Sequence, residues 1–243
     1  MKLIAHRGGS FGKENSLETM ATAVKMGADA VECDIRKTKD GIYVIYHDEN
    51  LSRLAGTEET VSNVTFSEMR TLLAKKNEKI MTFEELAKGY KEKTPILLHI
   101  KLTEYDENFA RYIVDSGLPI IVGVISLEML KCFSKLLPPE NILAFLPQPE
   151  DAEEYYKGGA GIIRLWEQWL TRIAPQDVKN KCPNAKVYIM ACNLEHEPWE
   201  GISLESMDGS RESLDKCCEL GADGVLLNHI EMALEWRNKS RAW

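Results

Sequence analysis

The chain has 243 residues, with 30 Lys and Arg against 38 Asp and Glu for a formal charge of −8, and 44% hydrophobic residues. That balance excludes disordered, collagen-like and coiled-coil classes. The acidic surplus argues against nucleic acid as the main partner, because neutralising phosphates needs a basic face. The length suits one α/β barrel, which commonly runs to about 250 residues, and no apolar run approaches the ~20 residues of a membrane-spanning helix. The N-terminal MKLIAHRGG meets a charged pair too early for a signal peptide. Six Cys, at 33, 132, 182, 192, 217 and 218, form no C-x-x-C pair and suit a reducing compartment. The expectation is a single cytoplasmic domain, residues 1–243; oligomeric state is not legible.

Apolar runs at 3–5, 30–36, 42–46, 95–101, 119–125, 141–145, 160–164, 186–191 and 223–227 read as strands, with amphipathic helical segments between most of them. Asn15 with Glu18 has capping spacing ahead of Leu17, Met20, Ala21 and Val24, and Gly27 ends that helix. Thr65 with Glu68, and Thr82 with Glu85, repeat the capping-box pattern. Residues 27–34, GADAVECD, are echoed by 221–228, GADGVLLN, which aligns Glu32 with Leu226 and Asp34 with Asn228. The segment after Asp34 is too short for a parallel crossover, and Asp40-Gly41 is a hairpin signal. Folding there brings His47 roughly opposite Asp34. With that hairpin strand set aside, eight strands remain, the number that closes a parallel barrel. An open doubly wound sheet is the alternative, but no G-x-G-x-x-G loop follows the first strand. The predicted fold is a TIM (β/α)8 barrel with an additional hairpin strand after strand 2.

Active residues of such barrels sit at the C-terminal strand ends. His6 and Arg7, Glu32 and Asp34, His47, and His99 with Lys101 all fall there. Glu32 and Asp34, two apart, share one face of their strand. Two adjacent carboxylates repel unless a proton or cation lies between them, and Mg²⁺ or Ca²⁺ accepts such oxygens. The same pair on an outer face would be a solvated acidic patch, and the apolar alternation of Val31, Cys33 and Ile35 leaves the two readings open. Imidazoles can act as acid and base near neutral pH, while Arg7 and Lys101 supply fixed positive charge for a phosphate. Together these residues point to phosphate-ester chemistry with a metal.

Arg164 either faces the mouth or makes a surface ion pair, and Trp166 and Trp169 either wall a pocket or pack a helix. Cys192 and Asn193 fall on the same rim with no assigned chemistry. Cys217 and Cys218 read as packing. His196 and His229 lack partners at ligand spacing, though His229 lies beyond a strand end and stays a candidate, and the long loop from Asn193 to Arg211 is either a lid or a surface excursion.

AHRGG at 5–9, KENSLET at 13–19, GADAVECDIRKTKDG at 27–41 and residues 46–73 follow one another in a recognisable order, as do KIMTFEELA at 79–87 and PILLHIK at 95–101. In these motifs the sequence resembles the glycerophosphodiester phosphodiesterase family, densely over roughly the first hundred residues and thinly afterwards. The resemblance implies a TIM-barrel enzyme that hydrolyses a small-molecule phosphodiester to an alcohol and glycerol 3-phosphate. It implies His6 and His47 as general acid and base, and Glu32 and Asp34 as ligands of one divalent cation, Mg²⁺ or Ca²⁺. Arg7 and Lys101 would bind phosphate and Glu14 the substrate, with Glu14 and Asn15 also shaping the loop beside His6. The glycerol 2-hydroxyl would attack first, giving a cyclic phosphate that water opens.

Three positions depart from the family pattern. His99 stands where a third acidic ligand is usual; as a nitrogen ligand it would move preference towards Mn²⁺, Zn²⁺ or Fe²⁺. Met190, Ala191, Cys192 and Asn193 replace a Trp-Thr-x-Asn strand end, removing an aromatic wall. Leu227, Asn228, His229 and Ile230 replace a Thr-Asp-x-Pro motif. Two other readings stay open: a phospholipase D-type transphosphorylase that keeps the cyclic product, and a weakened barrel that binds phosphate without turnover.

Overall fold

The structure, a computed structural model, describes residues 1–103, 107–191 and 211–240, the side chains of 211, 212 and 240 excepted. Twelve strands alternate with ten helices in the described residues. The strands are β1 Lys2–Ala5, β2 Ala30–Lys37, β3 Tyr43–Ile45, β4 Asn50–Leu51, β5 Thr57–Thr60, β6 Met81–Thr82, β7 Ile96–Ile100, β8 Ile120–Val124, β9 Ile142–Phe145, β10 Ile162–Trp166, β11 Lys186–Met190 and β12 Gly224–Leu227. The helices are α1 Leu17–Met26, α2 Ser52–Ala55, α3 Phe66–Ala74, α4 Phe83–Gly89, α5 Glu107–Val114, α6 Leu127–Phe133, α7 Ala152–Lys157, α8 Pro175–Lys181, α9 Arg211–Glu219 and α10 Ile230–Ser240.

Eight strands pair in parallel in the order β1-β12-β11-β10-β9-β8-β7-β2, and a β1–β2 pairing closes the ring, with Ile4 opposite Ala30. This is the expected (β/α)8 barrel. The hairpin strand β3 runs antiparallel to β2, with Ile35 opposite Ile45. Gly41, at φ 85°, supplies the left-handed turn between them. That register sets Asp34 opposite Tyr46, whose amide donates to the Asp34 carbonyl. His47 therefore lies one residue beyond the position facing Asp34.

The alternation of side chains settles which face is inside. Ile4, Ala30, Leu97, Ile121, Leu143, Ile162 and Leu226 fill the barrel interior, while Leu3, Val31, Cys33, Leu98, Val122 and Ile163 pack outward against the helices. Full burial of each Val, Leu or Ile among them contributes roughly 1.5–3 kcal/mol. Counting by twos from the interior residues carries Glu32, Asp34, His99 and Arg164 into the barrel mouth. The solvated-patch reading of Glu32 and Asp34 is thereby excluded.

Helix ends follow local chemistry. Thr65 and Thr82 make the predicted capping boxes with Glu68 and Glu85. The cap of α1 is Ser16, whose hydroxyl accepts from the Thr19 amide. Asn15, expected in that role, adopts instead a left-handed conformation at φ 57° and turns inward. Residues 43–82 add a satellite core of Val44, Tyr46, Leu51, Val61, Met69 and Leu73, beside the barrel mouth. Cys192, Asn193 and His196, and all but Arg211 of the loop read from Asn193 to Arg211, lie outside the described residues.

Candidate active site

β1 ends in a tight turn, His6–Gly8, in which Arg7 takes a left-handed φ of 52°. A non-glycine residue held there is strained, a feature that clusters at functional sites. The turn aims the Arg7 amide at Glu32 Oε2, 2.9 Å away. The Asn15 amide donates to the Arg7 carbonyl, and its side-chain nitrogen lies 3.4 Å from Asp34 Oδ2. Glu32 and Asp34 are 1% and 0% exposed.

β7 lies beside β2 with His99 in register with Asp34. His99 Nδ1 is 3.2 Å from Asp34 Oδ1 and 3.9 Å from Glu32 Oε1, and Lys101 Nζ is 3.0 Å from Asp34 Oδ1. These separations have the length of close polar contacts, yet Asp34 Oδ1 and Glu32 Oε1 are buried without a partner in hydrogen-bond geometry. Proximity here supplies charge without satisfying either oxygen. Arg7 Nε is a buried donor in the same condition.

Burial, reinforced by the Asp34 charge, pushes the Glu32 carboxyl up to about 8. Burial also acts to raise Asp34, but Lys101 and then His99 override it and hold Asp34 well below the usual carboxylate range. The two acids thus diverge as an adjacent buried pair must. Burial lowers His99 to about 4, against the pull of Asp34, and it lowers the Lys101 ammonium as well. One oxygen or nitrogen from each of Glu32, Asp34 and His99 can be chosen so that all lie within 4.8 Å of one another. Two buried carboxylates, an imidazole nitrogen and orphaned oxygens facing inward suit a divalent cation.

His6 has its Nδ1 2.9 Å from Asn228 Oδ1. An amide oxygen only accepts, so the bond assigns the ring proton to Nδ1 and leaves Nε2 as the basic nitrogen, 3.8 Å from Glu32 Oε2. Burial, with Arg7 nearby, lowers His6 to about 3 and keeps it neutral. His47 approaches from the satellite side, its ring centroid 6.3 Å from that of His6. Its Nδ1 bonds Asp48 Oδ1 at 2.7 Å. Its carbonyl accepts from Arg36 Nε and Lys101 Nζ.

An ionic chain then runs from Asp48 through Arg53 to Glu14 and Arg7. Burial works to raise the Asp48 carboxyl, while hydrogen bonds from His47 and Arg53 outweigh it and hold it well below the ordinary range. Glu14, expected beside the substrate, is clamped between two guanidiniums and braces the Arg7 loop.

The structure therefore gathers His6, Arg7, Glu14, Asn15, Glu32, Asp34, His47, His99 and Lys101 in one mouth. Sequence reasoning gave no role to Arg36, Asp48, Arg53 or Asn228. Asp48 carried a usable signal, since a carboxylate next to a candidate His can orient it; Asn228 was visible only as a departure from a motif. Arg164 is 3% exposed and its guanidinium lies over Phe145, Trp166 and Trp169, at 4.8, 4.0 and 5.8 Å. It faces the mouth and does not reach the outer surface. Trp166 joins the interior and Trp169 the outer core, so the rim keeps aromatic groups on β9 and β10. Cys217 is buried and packs as expected, while Cys218 is exposed. His229 is exposed, its Nδ1 3.5 Å from Ser10 Oγ.

A parallel barrel whose polar residues converge over β1, β2 and β7 defines a (β/α)8 protein with a single-ended reactive mouth. The chain belongs to the Glycerophosphoryl diester phosphodiesterase family, whose pattern matches residues 6–128. A glycerophosphodiester phosphodiesterase of Caldanaerobacter subterraneus subsp. tengcongensis is 33% identical over 200 residues, covering 81% of this chain and 69% of that protein. Matches to curated relatives from Bacillus subtilis, mouse and Mycobacterium tuberculosis span only 45%, 21% and 26% of their lengths. The fold is shared with a crystal structure of a glycerophosphodiester phosphodiesterase from Parabacteroides distasonis, at TM-score 0.76 and 20% identity, covering 100% and 98% of the two chains. It is shared too with an Oleispira antarctica phosphodiesterase in complex with the product sn-glycerol-3-phosphate, at TM-score 0.69 and 18% identity, covering 98% and 97%. Among the described residues no helix is long and apolar enough to cross a membrane.

Proposed function

We propose that this chain is a metal-dependent phosphodiesterase that cleaves glycerophosphodiesters to an alcohol and glycerol 3-phosphate. The observation that carries this reading is the pair of orphaned, buried oxygens, Glu32 Oε1 and Asp34 Oδ1, beside His99 Nδ1 and beneath two imidazoles. Burying two adjacent acids costs several kcal/mol, of which the Lys101 ammonium offsets part at Asp34 and a bound cation would offset more. Glu32, Asp34 and His99 would hold that cation, which supplies Lewis acidity and neutralises phosphate charge. The mixed donor set accepts Mg²⁺ or Ca²⁺, and its nitrogen favours Mn²⁺, Zn²⁺ or Fe²⁺ more than an all-oxygen site would.

The remaining roles follow from the chain's own groups. Arg7 and Lys101 orient a phosphate by fixed charge. His6, neutral with Nε2 unprotonated, takes the proton of the attacking glycerol 2-hydroxyl. His47, whose Nδ1–H is held by the Asp48 carboxylate, protonates the departing alcohol oxygen through Nε2. The cyclic phosphate so formed is opened by water, with the two imidazoles exchanging roles. The product sn-glycerol-3-phosphate held by the Oleispira phosphodiesterase supports the product assignment.

The test is glycerol 3-phosphate release by metal-stripped protein to which Mg²⁺, Ca²⁺, Mn²⁺ and Zn²⁺ are returned singly, with phosphorus NMR following a cyclic species. Turnover restored by one ion and a transient cyclic phosphate are expected. A persistent cyclic phosphate would replace hydrolysis by transphosphorylation, and phosphate binding without turnover under any ion would refute catalysis. His99→Glu is expected to move the preference towards Mg²⁺ or Ca²⁺; an unchanged metal profile would remove His99 from the ligand set.

A further inference from the structure

The arc of strands beyond the three candidate ligands holds a second arrangement. His99 on β7 is in register with Gly123 on β8, and Gly123 with Leu143 on β9, two residues before Phe145. Ile121 and Leu143 line the barrel interior, so a side chain at 123 would point inward as well. A Cβ there would lie 2.4 Å from Phe145 Cε2 and 3.0 Å from Cδ2. The benzene ring thus occupies the volume that any other residue at 123 would claim. It reaches across β8 and stacks face to face on the His99 imidazole, centroids 3.7 Å apart and planes within 6°. The Arg164 guanidinium lies 4.8 Å over the same Phe145 ring and 4.0 Å over Trp166. Sterics leave it the face of Phe145 opposite the imidazole. Imidazole, benzene, guanidinium and indole follow one another around the mouth from β7 to β10.

Stacking matters here because the imidazole torsion χ2 is broad and does not by itself choose which ring nitrogen faces the carboxylates. Metal-binding imidazoles are usually oriented by a hydrogen bond from the other nitrogen. Among the described residues the contacts of His99 are those of Nδ1 with Asp34 and Glu32 and the stack on Phe145. Phe145 is 6% exposed and wedged between His99 and Arg164, so the ring moves only by leaving the stack.

We infer that Phe145, admitted by Gly123 and backed by Arg164, is a positioning residue that locks the His99 ring with Nδ1 aimed at Glu32 and Asp34. This rests on the reading that those three residues hold a divalent cation. It adds the device that fixes the nitrogen ligand in place of a hydrogen-bonded carboxylate or carbonyl.

The experiment titrates Co²⁺ into the metal-stripped full chain, following visible absorption and the paramagnetically shifted proton resonances of the bound imidazole. Phe145→Leu is expected to weaken Co²⁺ binding by about 10–100-fold, the range for losing a ligand's orienting partner, and to lose or broaden the shifted resonances. Phe145→Tyr, which keeps the stacked ring, restores both. Gly123→Ala produces the same loss with Phe145 still present, because the new methyl displaces the ring. Combining Gly123→Ala with Phe145→Leu adds little to either change alone, as expected for two steps of one device. Gly123→Ala also serves if Phe145→Leu fails to fold.

Folded Phe145→Leu and Gly123→Ala proteins that bind Co²⁺ as the parent does, while His99→Ala loses binding, would overturn the positioning role alone. A parent that binds no Co²⁺ would overturn the metal reading and this inference with it, and a His99→Ala protein that binds it equally well would remove His99 from the ligand set and overturn this inference.

Discussion

Gly27 and Gly221 each follow a helix in the left-handed region, at φ 105° and 81°, and the Asp two residues later performs one task in both places. Asp29 exchanges hydrogen bonds with Leu3 on β1, its carboxylate accepting from the Leu3 amide and its own amide donating to the Leu3 carbonyl. Asp223 does the same with Val187 on β11. Each carboxylate also meets a cation, Arg237 for Asp29 and Lys179 for Asp223. Past these matching starts the two strands diverge. Glu32 and Asp34 stand on β2 where the other copy has Leu226 and Asn228. Leu226 fills the barrel interior, and Asn228 fixes the His6 ring. The N-terminal ends of the strands are shared carpentry, and the C-terminal ends are free to differ, which is the division of labour in this fold.

The comparison breaks first at the carboxylates. Glu32→Gln or Asp34→Asn is expected to reduce glycerol 3-phosphate release by at least about 10³-fold, the scale of lost metal assistance. Leu226→Met, a swap of similar volume at the matching position, should change stability by less than about 1.5 kcal/mol and turnover by a few-fold at most. Comparable losses from both would show that the second copy also contributes chemistry.

A smaller effect separates His6 from its support. His6→Ala should cost about 10²–10⁴-fold in kcat with the circular dichroism unchanged. Asn228→Ala should cost about 10–100-fold by analogy with other orienting partners, with KM little affected. The double variant should be no slower than His6→Ala alone, since Asn228 acts through that ring. Additive losses would mean that Asn228 does something else.

Acid sharpens the same contrast in the metal-free protein. His6 falls from an ordinary 6.5 to about 3 in the folded chain, so below pH 6.5 the unfolded chain binds the proton that the folded one refuses. Stability is present above 6.5 and is lost as pH drops towards 3. Glu32, raised to about 8, acts in the opposite direction over the same window, so the difference between proteins is what counts. His6→Gln should lose less urea stability than the parent between pH 7 and pH 5. An equal change in both would mean that His6 is not the group held neutral by burial.

The smallest effect tests the shared carpentry. Asp29→Asn and Asp223→Asn should each cost about 1 kcal/mol in urea unfolding, since both carboxylates are partly solvated and both amides keep one bond. Activity should be unaffected. A much larger loss at one site would show that the starts of β2 and β12 are not equivalent.

The motifs legible in the sequence were those that close locally. Thr65 and Thr82 find their acidic partners three residues on, Gly41 turns a hairpin within its own segment, and Gly27 ends a helix by its own backbone. Gathering Glu32, Asp34, His6, His47, His99 and Lys101 at strand ends was legible for a related reason. Strand periodicity and the barrel's single reactive end leave few other places for them. Asn15 misled because Ser16, one residue on, has equal capping chemistry, and only packing sends the amide inward to Asp34.

What the sequence determined alone was the order of strands and helices, the hairpin after the second strand, and the identity of the polar groups at the mouth. These depend on periodicity, caps and turns that span a few residues. Tertiary structure alone decided which face of β2 is inside, since both alternating faces are compatible with the pattern until the ring closes at Ile4 and Ala30. It also decided the partners that lie far apart in the chain: Asn228 on His6, Asp48 through Arg53 to Glu14, and Phe145 leaning over Gly123 onto His99. Those contacts cross between strands or loops, so no periodicity records them; they exist because closing the barrel brings the strand ends within a side chain's reach.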